Sequence, residues 1–195
     1  MKKWQRNVYH LGTGLLFPIG YYFGHKTGTI ITISIFFLII LILEIFRFKN
    51  SGFNKWAFKH LTPLFKPKEK SHLVGTTYFL LGTLIAVIFS PKYIAILSLS
   101  FLAVSDVAAA FVGERWGRIR IYNKKSLEGA ISFFISAMIL GIALMQVPSL
   151  RFAGLNLQLV LYGSLTAALV ELFSSKIDDN FTIPVITSLV MTIIA

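Results

Sequence analysis

The chain contains no cysteine. A disulfide scaffold, a thiolate metal site and a cysteine nucleophile are therefore excluded. Acidic residues are also scarce, 8 against 19 lysines and arginines in 195 residues. No Gly-x-x-x-x-Gly-Lys-Ser/Thr run is present, so there is no P-loop. Gly12 and Gly14 are followed by Phe17 where a dinucleotide fingerprint needs glycine, and Gly-x-Ser-x-Gly does not occur. A nucleotide would have to bind without any of these devices.

What is abundant is apolar. Hydrophobic residues make up 55% of the chain and charged ones 14%, with a mean hydropathy of +0.73. A soluble domain of this length cannot bury so much apolar surface in one core. Lipid must cover the rest. The net charge of +11 would fit nucleic acid in a soluble protein. Here the cations sit in short clusters between apolar runs, which fits anionic lipid headgroups and gives no case for a nucleic-acid partner.

Seven runs approach the roughly 20 apolar residues that a crossing helix requires: Val8–Gly24, Thr29–Phe48, Leu73–Phe89, Tyr93–Val112, Gly129–Val147, Gly154–Phe173 and Phe181–Ala195. The expected fold is all-α, a polytopic transmembrane bundle in one catalytic domain over residues 1–195. The run from Val8 contains His10 and lacks a small-residue cleavage pattern near Phe23, so it reads as a retained helix and not a signal peptide. With the N-terminus cytoplasmic and the C-terminus external, only Lys26, Lys92 and Arg151 fall outside, and every other cation falls inside. Trp4, Trp56 and Trp116 then all lie at the inner interface. Between Arg47 and Lys70, apolar Phe53, Trp56, Ala57, Leu61 and Leu64 recur near helical spacing, predicting a short amphipathic element on the inner leaflet, broken at Pro63.

The eight acids are Glu44, Glu69, Asp106, Glu114, Glu128, Glu171, Asp178 and Asp179, and in this topology all lie toward the cytoplasmic side. Acids collected there beside clustered cations suggest a metal and phosphate site, although mutual neutralisation would give the same distribution. Asp106 is the sharpest, a carboxylate inside a span, with Ala109, Ala110 and Gly113 on the same helical face. Next come Arg115, Arg118, Arg120, Lys124, Lys125 and Ser126, a basic stretch with a Lys-Ser step at a helix start, suited to phosphate. Asp178, Asp179 and Asn180 supply hard oxygen donors of the sort Mg²⁺ takes, while helix capping competes for Asp179 and Asn180. Arg6 and His10 lie one turn apart in the first span and could share a face toward phosphate or headgroup, or toward a neighbouring helix.

At these residues the chain resembles the family of dolichol kinase, phytol kinase and CTP-dependent diacylglycerol kinase. The similarity is carried by Ser105-Asp106 through Gly113 and Gly117, by Lys125-Ser126-Leu127-Glu128-Gly129, and by Glu171 with Asp178-Asp179-Asn180-Phe181-Thr182-Ile183-Pro184. Arg6 through His10, Glu44 through Arg47, and Glu69 with Gly75-Thr76-Thr77-Tyr78 match less strongly. Phe181 stands where the family commonly has leucine, and Arg6-Asn7 where it has a basic pair. The resemblance implies Mg²⁺-dependent transfer of the terminal phosphate of CTP to a membrane lipid alcohol. The expected location is a prokaryotic cytoplasmic membrane, with the active site on the cytoplasmic face. The resemblance also implies that Asp106 ligates Mg²⁺ or accepts the alcohol proton and that Asp178 and Asp179 hold Mg²⁺. Lys125, Ser126, the three arginines, Gly113 and Gly117 would cradle phosphate, with Glu128 and Glu171 orienting them. Polyprenol, phytol-like alcohol and diacylglycerol stay open as acceptors. The rivals are a phosphatidate cytidylyltransferase and, in another class, a small transporter with Asp106 and Glu171 as pathway acids.

Overall fold

A computed structural model describes residues 3–60, 67–123, 125–174 and 177–195. Each of the seven apolar runs is occupied by one helix: α1 (Lys3–Phe23), α2 (Lys26–Lys49), α4 (Gly75–Phe89), α5 (Lys92–Trp116), α6 (Leu127–Met145), α8 (Leu157–Phe173) and α9 (Asp179–Ile194). Two short helices join them, α3 (Ser51–His60) and α7 (Pro148–Phe152). The first is the expected amphipathic element, with Ala57 buried and Trp56 exposed. Leu61, Pro63 and Leu64, which belong to the same expectation, lie outside the described residues. The second was not legible as a helix in the sequence; Pro148 opens it from the first-turn position, where its missing N–H costs nothing.

Among the described residues, α2, α5 and α6 are long and apolar enough to cross a membrane, and α4, α8 and α9 are shorter apolar helices. The clearest mark of lipid is α2. It is apolar all round, yet only Ile33, Glu44 and Arg47 of its 24 residues are buried. Ile31, Ile35, Leu38 and Ile42 lie on its open surface. Such a surface would drive aggregation in water. This is a helical membrane protein.

The centre is α5, against which α1, α6, α8 and α9 all pack. Ile94, Leu97, Leu99, Phe101 and Leu102 are fully buried there, with Phe133 of α6 beside them. The neighbouring helices approach closely where glycine permits. A side chain at Gly82 of α4 would come 3.0 Å from the Asn180 carbonyl and from Pro184 of α9. Pro184 has no N–H to give that carbonyl, so α9 leaves it open at the place where α4 closes in.

Helix ends shift from the sequence expectation for identifiable reasons. Ser126 caps α6 by accepting from the Gly129 N–H at 3.2 Å, so the helix begins at Leu127 and not Gly129. Asp178 likewise caps α9, which begins at Asp179, two residues ahead of Phe181. The all-α expectation needs one addition: β1 (Arg120–Tyr122) pairs antiparallel with β2 (Lys125–Ser126) in a small ribbon. Its turn places Asn123 at φ 46°, a left-handed conformation that asparagine tolerates.

Candidate active site

The ribbon carries Lys125 back over the bundle, into a pocket between the start of α9 and the end of α8. Its Nζ donates to Glu171 Oε1 at 2.7 Å and to Asp179 Oδ2 at 3.2 Å. Burial works against the ammonium, but the fields of Asp179, Glu171 and Asp106 outweigh it and hold its pKa above the ordinary lysine value. Lys125 is therefore cationic throughout the neutral range.

Asp106 faces the same space from α5. Its Oδ2 lies 3.7 Å from His10 Nε2 of α1. Asp106, Lys125, Glu171 and Asp179 all line one cleft of about 990 Å³. His10, Glu69, Asn180 and Arg120 line it as well. Residues from four helices and the ribbon are thus brought together at one polar end.

Other predicted residues have structural work visible in their contacts. Glu128 accepts from the backbone N–H groups of Arg118 and Ile119 at 3.0 and 3.1 Å, so it holds the ribbon's leading strand onto α6. The Ser126 hydroxyl, besides capping α6, is packed among glycines. A side chain at Gly113 would meet it at 3.1 Å, at Gly129 at 3.2 Å and at Gly117 at 2.6 Å. The Gly113–Gly117 pattern is where α5 and α6 come together, although Gly113 and Ser126 also touch the cleft. Asp178 Oδ1 accepts from Asn180 through both the backbone N–H (3.2 Å) and the side-chain amide (2.6 Å). Of the adjacent pair, Asp178 builds the helix start and Asp179 faces Lys125. Arg115 and Arg118 are exposed outside the cleft, Arg115 with its guanidinium 5.4 Å from the Trp116 ring centre. Arg6 falls in α1, but its side chain lies outside the described residues.

Glu69 is buried, and its Oε1 accepts from the Gly75 N–H at 3.1 Å, capping α4 at the cleft edge. The short turn that carries Glu69, Pro67–Lys70, is itself held by Arg47. Arg47 is almost wholly buried. It pairs with Glu44 at 2.6 Å and donates to the Glu69 and His72 carbonyls, each at 2.8 Å. In the sequence Glu44 and Arg47 are a charged pair three apart at the end of an apolar run, inside one of the weaker matches to the family. Their role as a latch for this wall depends on backbone carbonyls that no side-chain pattern reveals.

The rest of the cleft is mainly apolar, with Thr13, His25, Thr29 and Thr32 interspersed. It runs between α1 and α2, past Phe17, Ile33 and Phe36, over a floor from α4 and α5. The opening exists because α1 packs on α5 and α2 on α4, while the two scarcely touch each other. A polar end joined to an apolar slot can seat an amphiphile with its head among the charges.

Among the described residues, no three acidic or histidine side chains close on one point as a metal cage. Magnesium does not require one, since it is usually held by one or two carboxylates plus substrate phosphates and water. Asp106 and Asp179 offer hard oxygen donors to the cleft, and the set fits a cation that arrives with phosphate.

The chain is 29% identical to CTP-dependent diacylglycerol kinase 1 of Saccharomyces cerevisiae over 95% of its own length and 71% of that protein. It is 33% identical to CTP-dependent diacylglycerol kinase 1 of Eremothecium gossypii, covering 82% of the chain and 56% of the relative. With the probable chloroplastic phytol kinase of Zea mays it shares 30% identity over 97% of the chain and 66% of the relative. No protein-family profile matches the chain, and no solved structure does.

Proposed function

The chain belongs to the lipid kinase family that includes the CTP-dependent diacylglycerol kinases and phytol kinases, and from that premise we propose that it transfers the terminal phosphoryl group of CTP to the hydroxyl of a membrane lipid alcohol. One observation carries the reading: a cation flanked by carboxylates from separate helices stands where a polar pocket meets an apolar slot open to lipid. Phosphoryl transfer asks little covalent chemistry of the protein. It needs in-line positioning and neutralised charge.

The alcohol oxygen attacks the terminal phosphorus, the bond to the bridging oxygen breaks, and CDP leaves with that electron pair. Asp106, at the junction of the polar end and the slot, receives the proton lost by the hydroxyl. Lys125 and Arg120 hold the phosphates, while Glu171 keeps Lys125 aimed. Magnesium, held by Asp179 with Asp106 nearby, would neutralise charge on the transferring group. Glu69 and Asn180 shape the cleft wall beside it. In the same reading all seven long helices cross the bilayer, the N-terminus is cytoplasmic, and the polar end lies at the inner face. The distribution of cations supports that orientation.

The test is incubation of purified protein with terminally labelled CTP and a panel of diacylglycerol, phytol and polyprenol. Label in the lipid supports the kinase. Released labelled pyrophosphate would mean a cytidylyltransferase, and nucleotide-independent flux in proteoliposomes would mean a transporter.

A further inference from the structure

The slot between α1 and α2 has a definite length. It runs along α1 from His10 at the polar end to Gly24, 14 residues on. At the α-helical rise this is about 21 Å. The far end is closed covalently, because Gly24 and His25 form the turn into α2. That turn is tied down by two reciprocal bonds: Lys92 Nζ donates to the Gly24 carbonyl at 2.8 Å, and Lys26 Nζ to the Ile88 carbonyl at 2.9 Å. One leaflet of hydrocarbon is about 15 Å deep. The slot therefore houses a chain of ordinary membrane length, and anything much longer has to leave it.

We infer that this slot holds one hydrocarbon chain of the acceptor alcohol over about one leaflet's depth, so that acceptors with leaflet-length chains are favoured over short-chain ones. The occupant follows from continuity. His25, Thr29 and Thr32 also line the slot, but among the described residues its charged end is the cluster of Asp106 and Lys125, and a hydroxyl seated there leaves its own chain nowhere closer to lie. The measure is set by Gly20 and Gly28, which line the distal half and face open space, with no atom within 4 Å of where a side chain would begin. Glycine inside a helix costs about 1 kcal/mol relative to alanine, and no packing at either position requires it. Gly20 stands about 15 Å from His10 along the axis, so a leucine there would block the slot at one leaflet's depth.

This inference rests on the proposed kinase reading, and the experiment separates the two. Gly20→Leu and Gly28→Leu are compared with Gly12→Leu, which also points into open space on α1 but lies off the cleft. The ratio of kcat/KM for dioleoylglycerol to that for dioctanoylglycerol should fall at least about tenfold in the first two and hold in the control. An unshifted ratio in an active enzyme overturns the slot while leaving the kinase reading intact. Should the wild-type chain phosphorylate none of the alcohols, the kinase reading fails, and binding decides the slot on its own. Hexadecanol with a terminal diazirine, photolysed with the protein in nanodiscs, should label Tyr21, Thr29 or Ile33, and Gly20→Leu should remove that label. Adducts spread over Ile31, Ile35 and Leu38 on the outer face of α2 would mean bulk bilayer lipid only and would overturn the proposal.

Discussion

Lys125 and Glu171, 46 positions apart in the chain, meet at 2.7 Å with Asp179 on the other side of the ammonium. Removing the cation leaves a buried carboxylate, Glu171, facing a partly buried one, Asp179, and strips the site of its innermost positive charge. Lys125→Met should lower kcat/KM for CTP by about 100-fold or more. Lys125→Arg should recover only part, since a planar guanidinium cannot occupy the point between two carboxylates as an ammonium does. Initial rates across CTP concentrations check this. Wild-type rates from Lys125→Met would remove the residue from the site.

Asp106→Asn preserves volume and removes the charge and the basic oxygen. Turnover should drop below about 1% of wild type, with membrane insertion and detergent gel-filtration profile retained. Full activity would exclude Asp106 from the chemistry.

Arg47→Met should act through stability. Glu44 would be left charged and buried, and the Glu69 and His72 carbonyls would lose their donor. Breaking one partner of a buried pair costs about 3–5 kcal/mol. Thermal unfolding in detergent should show a clear fall in Tm for Arg47→Met and a smaller one for the double variant Glu44→Gln/Arg47→Met.

Gly117→Ala tests whether the Gly113–Gly117 pattern is packing. The added carbon would run into the Gly113 carbonyl and sit 2.6 Å from the Ser126 hydroxyl and 2.9 Å from its Cβ. Overpacking of this kind costs about 1–3 kcal/mol. A lowered Tm is expected. Unchanged stability with weakened CTP binding would instead make the glycine a phosphate contact.

The adjacent pair Asp178 and Asp179 shows where sequence reading stops. Both are carboxylates in the same motif, and the sequence places the capping alternative on Asp179 and Asn180, whereas the cap is Asp178. The start of α9 separates them: one side chain folds back onto Asn180, and its neighbour turns about a third of a helical circle to face Lys125. Ser126 is similar. A Lys-Ser step at a helix start reads as a phosphate grip, but its hydroxyl is taken by the Gly129 N–H once α5 and α6 close on their glycines.

Length and polarity of the apolar runs determined by themselves that this chain is helical and lives in lipid, because the cost of unsatisfied backbone in hydrocarbon leaves few alternatives. The scarcity of carboxylates also drew attention to the acids before any coordinate, Asp106 foremost, but it did not separate Asp179 from Asp178 or Glu171 from Glu128. Which of them share a cleft was decided only in three dimensions. That depends on how far each helix is rotated about its axis, and on α1 and α2 packing against different partners instead of each other, contacts between distant residues that leave no periodic trace in the chain.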